Sequence, residues 1–290
     1  MTDGKDDLMN PRTDSEWHVP LSSRRNVVVG GGSGMGRGLA VALAGAGAEV
    51  FVLGRRREML EETADMARGL AGRVTAITCD VLDEASVDAA FAAIESAGGP
   101  AAGLAHCAAS VNYTPAAELT PHGFREVVQS ALFGAFNVLS RWSAPLLAAG
   151  EPAVGVFVTS HIASRGTPGA AHSSAGKAGV EAMVKTIARE WGPLGIRLNV
   201  MGPGAFPVER NVELFDRPEY REAIVRQVAL GRPGELREAV GPLMFLLSEA
   251  ASYVTGEVLR SDGGFRLTPE FLPRWSYEEG VPIDQAPAGA

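Results

Sequence analysis

The chain has 290 residues, 46% of them hydrophobic and 21% charged, a composition that suits one soluble globular domain with a large core. A formal net charge of −8 argues against a nucleic-acid surface, which needs basic stripes. No apolar run is long enough to span a bilayer, and two cysteines without CxxC spacing exclude a disulfide framework and a cysteine metal site.

Residues 1–24 are polar, carry two prolines and lack the apolar stretch of a signal peptide. They are expected to form a mobile lead-in, and the chain to stay in the cytoplasm. A strand is predicted from Asn26 to Val29, breaking into glycine. Further strands are predicted over 49–53, 74–79, 102–107, 154–159, 196–201 and near 257–261, with helical segments between them. This alternation predicts a single α/β domain over 25–267, a Rossmann-type doubly wound parallel sheet with helices on both faces. Between 173 and 191, Val180, Met183, Val184, Ile187, Ala188 and Trp191 recur at helical spacing, and Pro193 and Gly195 end the helix. The tail from 268 to 290, rich in Pro, Glu and aromatics, is expected to lie extended on a surface, where it could cross to a neighbouring subunit. Cys79 and Cys107 fall at the ends of the third and fourth strands. In the sheet order 3-2-1-4-5 those strands lie three spacings apart, roughly 14 Å, against a limit of roughly 7 Å between bridged Cα atoms. Free thiols are expected.

After the first strand the chain reads VGGGSGMGRG, with Gly30, Gly34 and Gly36 in GxxxGxG spacing and Gly32, Ser33 and Met35 between them. Glycine is needed where a side chain would block the turn and the backbone's approach to a pyrophosphate. A helix opening at Met35–Gly36 would offer free N–H groups and the positive end of its dipole to phosphate. A preceding strand, a following Ala/Leu helix and a second strand ending about 20 residues on make this a dinucleotide site. At the end of that second strand an NAD site wants an acidic residue, but this chain has Gly54 followed by Arg55, Arg56 and Arg57. Guanidinium groups match the oxygens of a 2′-phosphate, and a helix N-terminus otherwise favours acid over base, so NADPH is the expected cofactor.

From about Asn26 to Leu267 the chain resembles the short-chain dehydrogenase/reductase family. The resemblance rests on the glycine loop, Asp80-Val81, and His106-Cys107-Ala108-Ala109 in place of that family's NNAG. It continues through Ser160, Lys177, Asn199-Val200, Pro203-Gly204 and the closing Asp262-Gly263-Gly264. It implies that Asp80 and Val81 touch the adenine, that Cys107 lies along the cofactor, that the turn after Pro203-Gly204 holds the carboxamide, and that the protein is a dimer or tetramer. The family's YxxxK motif carries a serine thirteen residues before the tyrosine. Here Ser160 and Lys177 are present, Ser173 stands at the tyrosine position, and Ala131 stands where the family's helix asparagine is expected.

That exchange has chemical meaning. Ketone reduction generates an alkoxide and needs an acid such as a phenol, with a pKa near about 10 and lowered by lysine. A serine hydroxyl is far weaker. Reduction of a C=C bond conjugated to a thioester makes an enolate, which hydrogen bonds can stabilise until carbon takes a proton. The stretch SSAGKAGVEAMVKTIAREWGPLGIRLNVMGPG is similar to the matching stretch of 2,4-dienoyl-CoA reductases, which also place serine before the lysine and select NADPH. Enoyl-thioester reductases are a related possibility. The tyrosine and asparagine with which dienoyl-CoA reductases hold the thioester correspond to Ile162 and Phe133, which are read as walls shaping a substrate pocket.

Replacement donors stand nearby. His161 follows Ser160, His172 precedes Ser173, and Tyr113 lies in the loop after the fourth strand. A histidine could supply a proton or polarise an enolate oxygen. Lys177 and Ser173, four apart, share a helix face, with Lys177 expected on the nicotinamide ribose. Residues 205–230, including Phe206, are expected to cap the substrate. Three readings follow: NADPH-dependent reduction of an enoyl- or dienoyl-CoA, carbonyl or alcohol redox chemistry through His161 or Tyr113, and a non-redox or regulatory nucleotide-binding protein.

Overall fold

Seven apolar runs form the strands: β1 Arg25–Val29, β2 Glu49–Gly54, β3 Arg73–Thr78, β4 Gly103–His106, β5 Ala153–Val158, β6 Ile196–Pro203 and β7 Val258–Ser261. Between them lie helices α1 Gly34–Gly45, α2 Arg57–Met66, α3 Glu84–Ser96, α4 Pro121–Val128, α5 Gly134–Ala149, α6 Ala171–Trp191, α7 Val212–Phe215, α8 Pro218–Gln227 and α9 Leu236–Leu246. A π turn, Gln129–Phe133, joins α4 to α5. The computed structural model describes residues 20–108 and 113–267, so the expected tail and most of the lead-in lie outside the described residues.

All strands pair in parallel, in the order β3-β2-β1-β4-β5-β6-β7. Successive side chains point to opposite faces, which sorts the core into two layers. Val27, Val29, Phe51, Leu53 and Leu104 meet Phe91, Ile94, Leu139, Trp142 and Val184 on one side. Val28, Val50, Val52, Ala105 and Val156 meet Leu39, Leu43, Leu243 and Leu246 of α1 and α9 on the other. Burial on both faces explains why the strands read as continuous apolar runs rather than alternating ones. Trp142 keeps its indole N–H satisfied on the carbonyl of Ala101, at 2.7 Å.

The chain leaves β3 for β4 by passing over β2 and β1, so connections diverge between β1 and β4. In such sheets that switch point opens a crevice at the carboxyl ends of the strands. Every candidate site residue described below lies on that end. Pro20 to Arg24 fasten to the opposite end: Leu21 bridges Ser248, and the Ser22 N–H donates to the Leu247 carbonyl at 3.0 Å. Arg197 adds a bond to Ser22 Oγ at 3.2 Å. Cys79 and Cys107 are free thiols, three strands apart, as expected. Among the described residues no helix is long and apolar enough to cross a membrane, and no side-chain group could hold a metal ion.

Candidate active site

The glycine loop turns out of β1 beneath the end of β2, where the Gly30 N–H donates to the Leu53 carbonyl at 2.7 Å. Gly30 has φ +78°, and a Cβ there would sit 2.9 Å from the Ala108 nitrogen, so only glycine fits between β1 and β4. A Cβ at Gly36 would strike the Gly30 carbonyl oxygen, so this glycine lets α1 close onto the loop. Ser33 is the extended N-cap of α1, and the helix opens at Gly34, slightly before the expected Met35. The first amides of α1 have no partner within the helix and aim at whatever lies above the loop.

That position already holds an anion. The carboxylate of Glu209 accepts the Gly34 N–H at 2.9 Å, with Arg37 3.7 Å from its other oxygen. A carboxylate oxygen is the nearest protein equivalent of a phosphate oxygen, so this cradle has the donor set that a pyrophosphate needs.

Beyond β2, Arg55 and Arg56 are exposed. Among the described residues Arg57 is the one of the three with a side-chain partner, bonded to Glu61 at 2.7 Å, and Glu58 supplies the acid that the first turn of α2 favours. Past β3, Asp80 Oδ1 accepts the Leu82 N–H at 3.0 Å, and Val81 packs on Gly134 of α5. Cys107 follows β4, its N–H on the Val29 carbonyl at 2.8 Å, while burial pushes its thiol up to about 12. Ala109 lies outside the described residues.

The residues expected to carry the chemistry converge on the ends of β5 and α6. Ser160 begins a short turn, His161–Ala163, and its Oγ lies 3.4 Å from His161 Nδ1. Ser173 and Lys177 face inward one turn apart on α6 and are 1% and 5% exposed. Ser173 Oγ has no protein partner, and Lys177 Nζ donates to the Val158 carbonyl at 3.1 Å. Burial, reinforced by the charge of Arg210, brings the Lys177 ammonium down to about 8. Among the described tyrosines none hydrogen-bonds this lysine.

The proposed donors separate. The His161 ring leans on Phe265 at 4.7 Å, and it bonds to the Pro203 backbone. Burial holds its imidazole below the usual range, against that bond and the Asp262 charge, which act to raise it. His172 is 2% exposed, with Nδ1 unpartnered. Tyr113 is 57% exposed, near enough to Tyr220 of α8 to help burial raise that phenol. Ile162 is buried, whereas Phe133 stands exposed on the π turn. Phe206 is a buried member of the α1/α9 core layer, its ring against Gly234. Ala131 packs against Gly176, where a Cβ would come within 2.8 Å, so the neighbour of Lys177 is fitted to a small residue. His106 stacks on Phe157 at 5.7 Å, and burial plus the Lys177 charge holds its imidazole down at about 3, which keeps it neutral.

Two side chains that brace this site were not among the candidates expected from the sequence. Glu181 lies one turn beyond Lys177 on the same face and pairs with Arg260 of β7 at 3.0 Å. Glu181 also accepts the Thr159 hydroxyl at 3.0 Å, and Arg260 donates to the Ser160 carbonyl at 3.2 Å. This buried pair ties β5, α6 and β7 together directly under Ser160. The four-residue spacing Ser173, Lys177, Glu181 is a signal that could have found Glu181; nothing local marks Arg260.

A glycine cradle at the switch point, with a serine and a buried lysine on the strand and helix beside it, defines the relationship. The chain is a short-chain dehydrogenase/reductase. A family profile described as enoyl-(acyl carrier protein) reductase matches residues 30–266. A probable 2,4-dienoyl-CoA reductase of Bacillus subtilis is 33% identical over 253 residues, covering 86% of this chain and 99% of the relative. A gluconate 5-dehydrogenase of Gluconobacter oxydans is 30% identical, covering 86% and 96%. The crystal structure of a putative 2-deoxy-D-gluconate 3-dehydrogenase from Agrobacterium tumefaciens, with bound NADP, superposes with a TM-score of 0.79 at 29% identity, covering 86% and 98%. This short-chain dehydrogenase/reductase is therefore an oxidoreductase, with acyl-CoA reductases and sugar dehydrogenases at similar distance.

Proposed function

We propose that this oxidoreductase uses NADPH to reduce the C=C bond of an α,β-unsaturated acyl-CoA thioester, enoyl or dienoyl. The observation that carries this reading is the buried, unpartnered Ser173 hydroxyl at the tyrosine position, one turn from Lys177. The likeness to the Bacillus dienoyl-CoA reductase supports it.

NADPH, when bound, would supply a hydride to the far end of the conjugated system, and a proton taken up from solvent at carbon would complete the reduction. The loop amides from Gly30 to Gly36 are suited to its pyrophosphate, Arg55 and Arg56 to its 2′-phosphate, and Lys177 to its nicotinamide ribose. Ser160 and Ser173 are then free to donate to the thioester oxygen as negative charge develops there. A buried donor such as Ser173 stabilises an enolate more than it would in water, because little solvent competes. Lys177 is mostly protonated at pH 7, since its ammonium titrates at about 8, and adds positive potential beneath that oxygen. Neither serine hydroxyl is acidic enough to give an alkoxide its proton as a phenol does, and the Lys177 ammonium is turned to the Val158 carbonyl.

A carbonyl or alcohol oxidoreductase is the second reading, supported by the gluconate 5-dehydrogenase likeness. It requires His161 or Tyr113 to do the work of a phenol, and the exposure of Tyr113 and the bond of His161 to Pro203 count against both. NADPH consumption should be measured with crotonyl-CoA, cyclohexenylcarbonyl-CoA, a dienoyl-CoA and a ketone panel. Turnover of an acyl-CoA, lowered about 100-fold in kcat by Ser173→Ala, is expected. Brisk ketone reduction with no acyl-CoA turnover would establish the second reading instead.

A further inference from the structure

We propose that Glu209 sets the cofactor affinity of this protein, because its carboxylate and the cofactor's pyrophosphate compete for one amide at the start of α1. The inference rests on the dinucleotide reading of the glycine loop.

Gly34 is the first residue of α1, with φ +53°, and its N–H is given to Glu209 Oε2 at 2.9 Å. Val208 lies on the same residue, 3.4 Å from where a Cβ would stand, so the segment rests on the glycine loop through two neighbours. The segment is built to hold this shape. Asn211 Oδ1 accepts the Val208 N–H at 2.7 Å, its Nδ2 donates to the Phe206 carbonyl at 3.1 Å, and Phe206 is buried in the core. Its root is fixed while its tip presents Glu209 and Arg210. On the other side, Arg37 is fastened to the Gly32 carbonyl at 2.6 Å and to Glu62 at 2.9 Å. A cation therefore stays behind the loop whichever anion lies above it.

One N–H carries one hydrogen, so a carboxylate and a phosphate oxygen cannot both accept it at full strength. Their like charges also repel at that separation. Cofactor entry therefore requires Glu209 to swing out, and its neighbour Arg210 is close enough to Lys177 to lower that ammonium. The apparent dissociation constant is the intrinsic one divided by the fraction of chains with Glu209 displaced. The Glu209 side chain is 51% exposed, so the contact is screened and the expected effect is modest, about fivefold.

The test compares wild type, Glu209→Gln and Glu209→Ala as full chains, measuring NADPH dissociation constants by fluorescence and hydrogen exchange of the 30–36 segment without cofactor. Glu209→Ala should bind NADPH about fivefold more tightly, with Glu209→Gln between, and should exchange the Gly34 amide faster. Unchanged or weaker NADPH binding by Glu209→Ala would overturn the proposal while leaving the cofactor assignment intact. Tighter binding with unchanged Gly34 exchange would also overturn it, since simple repulsion needs no contact. Failure of all three proteins to bind NADPH would overturn the cofactor assignment, and this proposal with it.

Discussion

Replacing Lys177 with methionine should make the protein more stable and less active at once. The ammonium is 5% exposed, and burial, with the Arg210 charge, lowers it from 10.5 to about 8. That difference corresponds to about 3 kcal/mol of native-state penalty at neutral pH. Methionine gives up the hydrogen bond to the Val158 carbonyl, worth about 1 kcal/mol, and fills the same slot with an apolar chain. The net gain is about 2 kcal/mol, or about 5 °C in Tm. Below about pH 8 the lysine is protonated in both folded and unfolded chains, so the penalty is fully present. Between about 8 and 10.5 the folded chain loses its proton first, the unfolded chain binds more protons, and wild-type stability rises with pH. The advantage of Lys177→Met should therefore be full at pH 7 and gone by pH 10.5. Thermal unfolding of both proteins at the two pH values, without cofactor, reads this directly. A variant less stable than wild type at pH 7, or an advantage independent of pH, would refute the reasoning.

Two further outcomes follow from charges placed elsewhere. Arg55→Ala should raise the NADPH dissociation constant about tenfold or more while leaving NADH within about twofold, because only the former carries a 2′-phosphate; equal losses in a binding titration would remove the cofactor preference. Glu181→Ala leaves Arg260 buried without its carboxylate and should cost about 3 kcal/mol in denaturant unfolding, whereas Glu181→Met with Arg260→Met should recover most of it.

Much of the fold was legible because strands buried on both faces announce themselves as apolar runs. The strand predicted over 154–159 is found at Ala153–Val158, and the helix predicted over 173–191 begins two residues earlier, at Ala171. The glycine loop was legible for a steric reason, since Gly30 and Gly36 fill places that no side chain can enter. The placement of Ser173 beside Lys177 followed from helical spacing alone. What stayed hidden depends on residues far apart in the chain. Glu209 reaches Gly34 across 175 positions, and Arg260 reaches Glu181 across 79. The burial of His172 and the exposure of Tyr113 likewise depend on how loops settle over the crevice, which no local pattern encodes.

The two thiols carry a practical consequence. Burial pushes Cys79 up to about 11 and Cys107 up to about 12, so at neutral pH about one thiol in ten thousand or fewer is ionised. Maleimides and iodoacetamides react with the ionised form, which makes the natural chain nearly silent towards them. One cysteine engineered on the surface of the 205–211 segment would then take up a fluorophore without competition, and its emission would time the departure of Glu209 in a stopped-flow mixing experiment.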